Sequence, residues 1–141
     1  MQQLKKLISD YKLEEKVTLT GMLTPDKLSE LSQKAFIGIA IPEKEGLNQY
    51  LALPNKMFDY IHAGLPQITV NYPEYQKINN QFEVAVLLDD ISPEKIAKVI
   101  NNLLMNDVLY KRLKENCLKA REVLNWEHEE KVLVAFYKTL L

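Results

Sequence analysis

The stretch Leu53-Pro-Asn-Lys-Met-Phe-Asp-Tyr-Ile-His-Ala-Gly-Leu-Pro66 decides how the rest of this chain is read. Pro54 has φ pinned near the helical value and lacks the N–H that a first helical residue leaves unpaired, so a helix is predicted to begin there. Gly64 stands where a left-handed residue past a helix end is wanted, and Pro66 prevents continuation. Between them Met57, Phe58 and Ile61 recur at spacings of three and four, which seats one face in a core and leaves Lys56 and Asp59 near its edge. The amino end of such a helix carries unpaired N–H groups and about half a positive charge, a setting that suits a phosphate. On the residues alone, a core helix with ordinary caps and solvated charges fits as well.

Four β-type runs surround this helix: Val17 to Thr20, Phe36 to Ile41, Gln67 to Val70 and Val84 to Leu88. The second and fourth are almost continuously apolar, as strands covered on both faces of a parallel sheet are. Helical segments alternate with them, which predicts an α/β fold with about four parallel strands joined by right-handed crossovers. Thr24-Pro25 and Ser92-Pro93 each pair a hydroxyl N-cap with proline at the first helical position, and Pro54 and Pro73 mark two more starts. Glu74 and Glu94 fall in first turns, where the helix dipole favours them. Residues 4 to 13 read as a helix leading into the first strand.

The last third is predicted as three helices, Pro93 to Met105, Asp107 to Leu124 and Trp126 to Leu141. Leu109, Leu113, Cys117, Ala120 and Leu124 share one face of the second, so the single cysteine reads as a buried small residue. Asn125 is placed to cap the final helix, with Glu127 and Glu129 in its first turn. That helix carries Val132, Leu133, Val134, Phe136, Tyr137, Leu140 and Leu141, more apolar surface than one contact face needs. It is either deeply buried or made for a partner surface, which includes a dimer contact.

Composition sets outer bounds. The 141 residues suit one domain, and 47% hydrophobic with 26% charged residues is ordinary for a folded chain. Eighteen basic and 19 acidic residues are interspersed for a net charge of −1, which predicts no counterion-driven grip on nucleic acid. No apolar run approaches the roughly 20 residues needed to span a bilayer. One cysteine forbids an intrachain disulfide, and a cytoplasmic location is the simplest expectation, with membrane association left open for a full-length protein. Gly21, Gly38, Gly46 and Gly64 are scattered, so the glycine-rich phosphate loop of a complete nucleotide-binding domain is missing. The expectation is a single partial domain over 1–141.

These residues together resemble a known family. Val17-Thr-Leu-Thr-Gly21, Leu28-Ser-Glu-Leu31 and Ala35-Phe-Ile-Gly-Ile39 look like the middle of the C-terminal domain of GT-B glycosyltransferases. Pro54 to Pro66 resembles the most recognisable segment of their retaining, nucleotide-sugar-using branch, the group 1 type. Pro73-Glu-Tyr75, Leu88-Asp-Asp-Ile-Ser-Pro93, Asn125-Trp-Glu127 and Tyr137 extend the likeness over nearly the whole chain. The resemblance implies the later part of a Rossmann-like donor domain with a helical tail, from which the N-terminal acceptor domain and the first βα units are absent. It implies a UDP- or GDP-sugar as donor, no cofactor and no metal, and transfer of a hexose to a glycan, a lipid-linked acceptor or another acceptor in glycan biosynthesis. The isolated fragment is expected to be inactive. In such proteins the last helix packs back across the N-terminal domain.

Carried over by position, Asp59 matches the acidic residue that accepts hydrogen bonds from the ribose hydroxyls, and a carboxylate can accept two at once. Lys56 matches a basic residue beside the diphosphate, with Asn55 and the first-turn N–H groups completing an anion site. Gly21, Met22 and Leu23 lie where the family places the base, and Glu45, Gly46, Leu47 and Asn48 lie in the loop facing the sugar. Two departures stand out. The family usually has glutamate where this chain has Asp59, and the second glutamate of many relatives, eight positions earlier, is here Leu51. Glu45 is the candidate substitute and the single catalytic candidate.

The remaining polar residues read more plainly. His62 and His128 are expected in surface or capping roles, and Asp89-Asp90 as a solvated turn before the Ser92-Pro93 cap. Tyr72 and Tyr75 are expected at the rim of the sheet's C-terminal end. Two rivals stay open: a nucleotide-sugar epimerase on the same fold, separable by its products, and a non-enzymatic doubly wound interaction module.

Overall fold

Three short strands carry the architecture, and their order in space is their order in the chain. The computed structural model describes residues 1–140. In chain order the elements are α1 (Gln2–Asp10), α2 (Pro25–Lys34), β1 (Gly38–Ala40), α3 (Leu47–Leu51), α4 (Asn55–His62), β2 (Gln67–Val70), α5 (Pro73–Phe82), β3 (Ala85–Leu88), α6 (Pro93–Met105), α7 (Asp107–Ala120) and α8 (Trp126–Lys138). β2 lies between β1 and β3 and pairs with both in parallel, Ile39 opposite Ile68 and Ile68 opposite Val86. The fold is mixed α/β, a small parallel sheet flanked by helices.

The central strand is wholly buried although two of its four residues are polar. Thr69 Oγ1 donates to the Ala40 carbonyl at 2.7 Å and Gln67 Nε2 to the Met57 carbonyl at 3.2 Å, while Gln67 Oε1 is buried without a partner. One core gathers Met57, Ile61, Val70, Tyr75, Val84, Ala85, Cys117 and Ala120; a second gathers Ile68, Leu88, Leu103 and Leu113. The expected face of α7 is therefore the buried one, with Leu113, Cys117 and Ala120 at its centre. Burial pushes the Cys117 thiol up to about 12.

Several expectations shift. Residues 17–20 join no ladder: a parallel strand needs cover on both faces, and Val17 and Leu19 are each 38% exposed. The outer strands shorten to Gly38–Ala40 and Ala85–Leu88. Pro54 is the residue before the helix, with extended ψ of 152°, and Asn55 is the first helical one. Pro25, Pro73 and Pro93 do open their helices. Thr24 and Ser92 make no side-chain cap; the Ser92 hydroxyl donates to Asp90 Oδ2 at 3.1 Å instead. The leading helix covers 2–10 rather than 4–13, and the second C-terminal helix ends at Ala120 because residues 121–124 turn. Tyr75 is no rim residue, since it is 1% exposed in the core. Of the final run, Leu141 lies outside the described residues.

Caps hold the rest. Asn106 and Asn125 accept from the N–H groups of Leu109 and His128 at 3.0 Å each. α4 ends in a Schellman motif: Gly64, at φ +65°, donates to the Ile61 carbonyl, and Leu65 donates to that of Tyr60. After α5 the left-handed Glu83 (φ 50°) is held in place by Asn79, whose Oδ1 accepts from the N–H groups of Val84 and Ala85.

Candidate functional site

α4 positions the site. Its apolar stripe sinks Met57 and Ile61 into the core, 1% and 0% exposed. Tyr60 is laid across Gly38, where an added Cβ would come within 2.6 Å of the ring. Burial and then the neighbouring Asp59 carboxylate hold the Tyr60 phenol above its ordinary range. With that face committed, residues spaced by four and three, Asn55, Asp59 and His62, share the open stripe.

This stripe lines two clefts. Toward α2 it forms a cleft of about 370 Å³ with Leu23, Pro25, Leu28, Ser29 and Ser32. Toward α8, Asn55 and His62 join Phe58, Ile78, Leu124 and Trp126 around a cleft of about 580 Å³. Among the described residues neither Asp59 nor Lys56 forms an ion pair, so Asp59 offers an uncommitted carboxylate at the α2 cleft. That carboxylate beside an apolar wall can accept from paired hydroxyls while a flat ring rests on Leu23 and Leu28.

The structure thus brings Asn55, Asp59 and Leu23 to one cleft. Lys56 is exposed one residue around the helix and does not line it. Met22 points to solvent, fully exposed. Glu45, Gly46, Leu47 and Asn48 stand exposed on the loop and first turn of α3, apart from the cleft lining. In that loop Lys44 Nζ sits 3.9 Å over the Tyr50 ring, and Tyr50 in turn packs on Tyr72, whose hydroxyl donates to the Pro42 carbonyl. Leu51 is half exposed at the end of α3.

His62, expected in a surface or capping role, is exposed, and its Nε2 lies 2.7 Å from the Leu124 carbonyl in the turn between α7 and α8. Its second position, on the cleft wall, was not legible; only its spacing of three from Asp59 pointed there. Ser29 and Pro25 were likewise missed, because which face of α2 meets α4 is a tertiary matter. Asp89 accepts from Asn71 Nδ2 at 2.6 Å and Asp90 accepts from the Ser92 N–H, the solvated turn expected. Among the described residues no three His, Cys, Asp or Glu side chains gather as metal ligands would. No helix among them is long and apolar enough to cross a membrane.

The family model of the glycosyl transferases of group 1 matches residues 1–120. No curated protein matches the chain.

Proposed function

The chain belongs to the glycosyl transferases of group 1, and from that premise we propose that its α2–α4 cleft binds the nucleotide of a nucleoside diphosphate-sugar. The observation that carries this reading is the shared stripe of Asn55 and Asp59 at the mouth of the cleft lined by Leu23, Pro25 and Leu28. In this reading Asp59 accepts from the ribose hydroxyls and the base rests against Leu23. The diphosphate lies toward the amino end of α4, where the dipole and Lys56 stabilise the charge that grows on it as the bond to the anomeric carbon breaks. The sugar passes to an acceptor hydroxyl, and UDP and GDP are the leaving groups to test. Family membership favours transfer over epimerisation or a purely structural module. The remainder of the cleft would come from an N-terminal acceptor domain, against which the exposed apolar side of α8 would pack. On that view the isolated chain binds nucleotide weakly and transfers nothing.

Titration of UDP and of GDP into the ¹⁵N-labelled chain tests the site. Shifts are expected at 21–23 and 54–59. Losing the carboxylate in Asp59→Ala removes charge-assisted bonds of about 1.5–3 kcal/mol, so affinity should fall roughly 10- to 100-fold. Shifts confined to residues remote from this cleft would refute the assignment.

A further inference from the structure

We infer that His62 is a positioning residue that couples nucleotide binding in the α2–α4 cleft to the setting of the C-terminal helix α8. The inference rests on the proposed donor site and adds a device to it. A carbonyl oxygen only accepts, so the 2.7 Å contact between His62 Nε2 and Leu124 O assigns the proton to Nε2. That bond joins the site helix to the joint from which α8 departs. On the other side of the joint, Asn125 Nδ2 donates to the carbonyls of Arg121 and Glu122, while its Oδ1 caps α8 at His128. The joint is therefore stapled within itself by Asn125 and to α4 by His62. α8 has no buried residue of its own, so its direction depends heavily on these two staples.

Coupling requires that a ligand favour the bonded state over the open one. The position of His62 supplies that difference. Its side chain lines the α2–α4 cleft beside Asp59 and also lines the neighbouring cleft with Trp126. With the cleft empty, the residue is exposed and water competes for the Leu124 carbonyl. A nucleotide seated against Asn55 and Asp59 covers the imidazole, excludes that water and strengthens the bond. Linkage makes the effect mutual: breaking the bond must weaken nucleotide binding by the factor through which nucleotide strengthens it.

Trp126, the sole tryptophan, sits at the start of α8 and 63% exposed, so its emission reports the joint. The test pairs calorimetric titration of UDP and GDP with Trp126 fluorescence in the wild-type chain, His62→Ala and His62→Gln. One neutral hydrogen bond corresponds to a factor of about five in affinity. The expected result is that nucleotide changes Trp126 emission in the wild type, and that His62→Ala binds about fivefold more weakly with the emission change lost. His62→Gln, whose amide N–H reaches a carbonyl, should restore both, with unchanged circular dichroism showing that all three fold. Wild-type affinity together with a wild-type emission change in His62→Ala overturns the coupling and leaves the donor site standing. If neither UDP nor GDP binds the wild type, the donor site falls and the coupling with it.

Discussion

Replacing Gly64 with alanine should be among the most damaging single-methyl changes in the chain, and its cost is open to estimate. At φ +65° a Cβ is strained, and the added carbon would stand 2.8 Å from Leu118 Cδ2. The left-handed conformation costs an L residue roughly 1–2 kcal/mol, and displacing the end of Leu118, a partly exposed side chain that can swing aside, adds about 1 kcal/mol. Against this, alanine narrows the unfolded ensemble and returns about 0.4–1 kcal/mol. The net loss is about 1–2.5 kcal/mol, which with a urea m-value near 2 kcal/mol/M lowers the midpoint by roughly 0.5–1.3 M. Circular dichroism at 222 nm through a urea series reads this directly. The two contributions separate in a double-mutant cycle with Leu118→Ala, because removing the δ-methyl relieves the contact but not the strain. Coupling of about 1 kcal/mol is expected between the two sites. A midpoint for Gly64→Ala within about 0.3 M of wild type would refute the reasoning, and additive losses would refute its steric half.

Two further outcomes follow from the same structure. Burial holds the Cys117 thiol at about 12 against 9.0 when free, so the unfolded chain sheds this proton first. Stability contributed by the protonated thiol is thus complete below 9.0 and is lost as pH rises toward 12. The raised phenols of Tyr60, Tyr75 and Tyr110 act in the same direction from 10.0 upward. Urea midpoints measured at several alkaline pH values should fall less steeply in Cys117→Ala than in wild type; equal slopes would count against the buried thiol. Asn79→Ala strands the N–H groups of Val84 and Ala85 beside the left-handed Glu83. A loss of about 2 kcal/mol is expected by the same urea assay, and Asn79→Asp, which keeps the acceptor, should recover most of it.

What could be read beforehand was what local chemistry decides. Proline at Pro25, Pro73 and Pro93 opened three helices, the glycine at 64 closed another, and the spacing of Leu113, Cys117 and Ala120 marked the buried face. What failed needed a neighbour to decide it. Val17 to Thr20 has a strand's composition but meets no partner, whereas Gln67 to Val70, expected as a strand, is one over those same residues. The short α3 carries too few residues for periodicity to show. Tyr75 follows a proline at a strand end, which reads as rim, yet its ring turns inward to the core. For the site, Asn55 and Asp59 were legible from their helix, whereas Ser29 and the double placement of His62 appear only when α2 and α8 are set beside it.

The plain strand order has a consequence for how the molecule is made. With no strand inserted between earlier ones, each strand leaving the ribosome meets a partner already delivered, first β1 with β2, then β2 with β3. Until α7 arrives, that growing sheet lacks Leu113, Cys117 and Ala120, the residues through which α7 enters both cores. The nascent domain therefore stays open along one side while some thirty residues are still being added between β3 and the end of α7. During that interval a chaperone has its widest access to the face that α7 later seals.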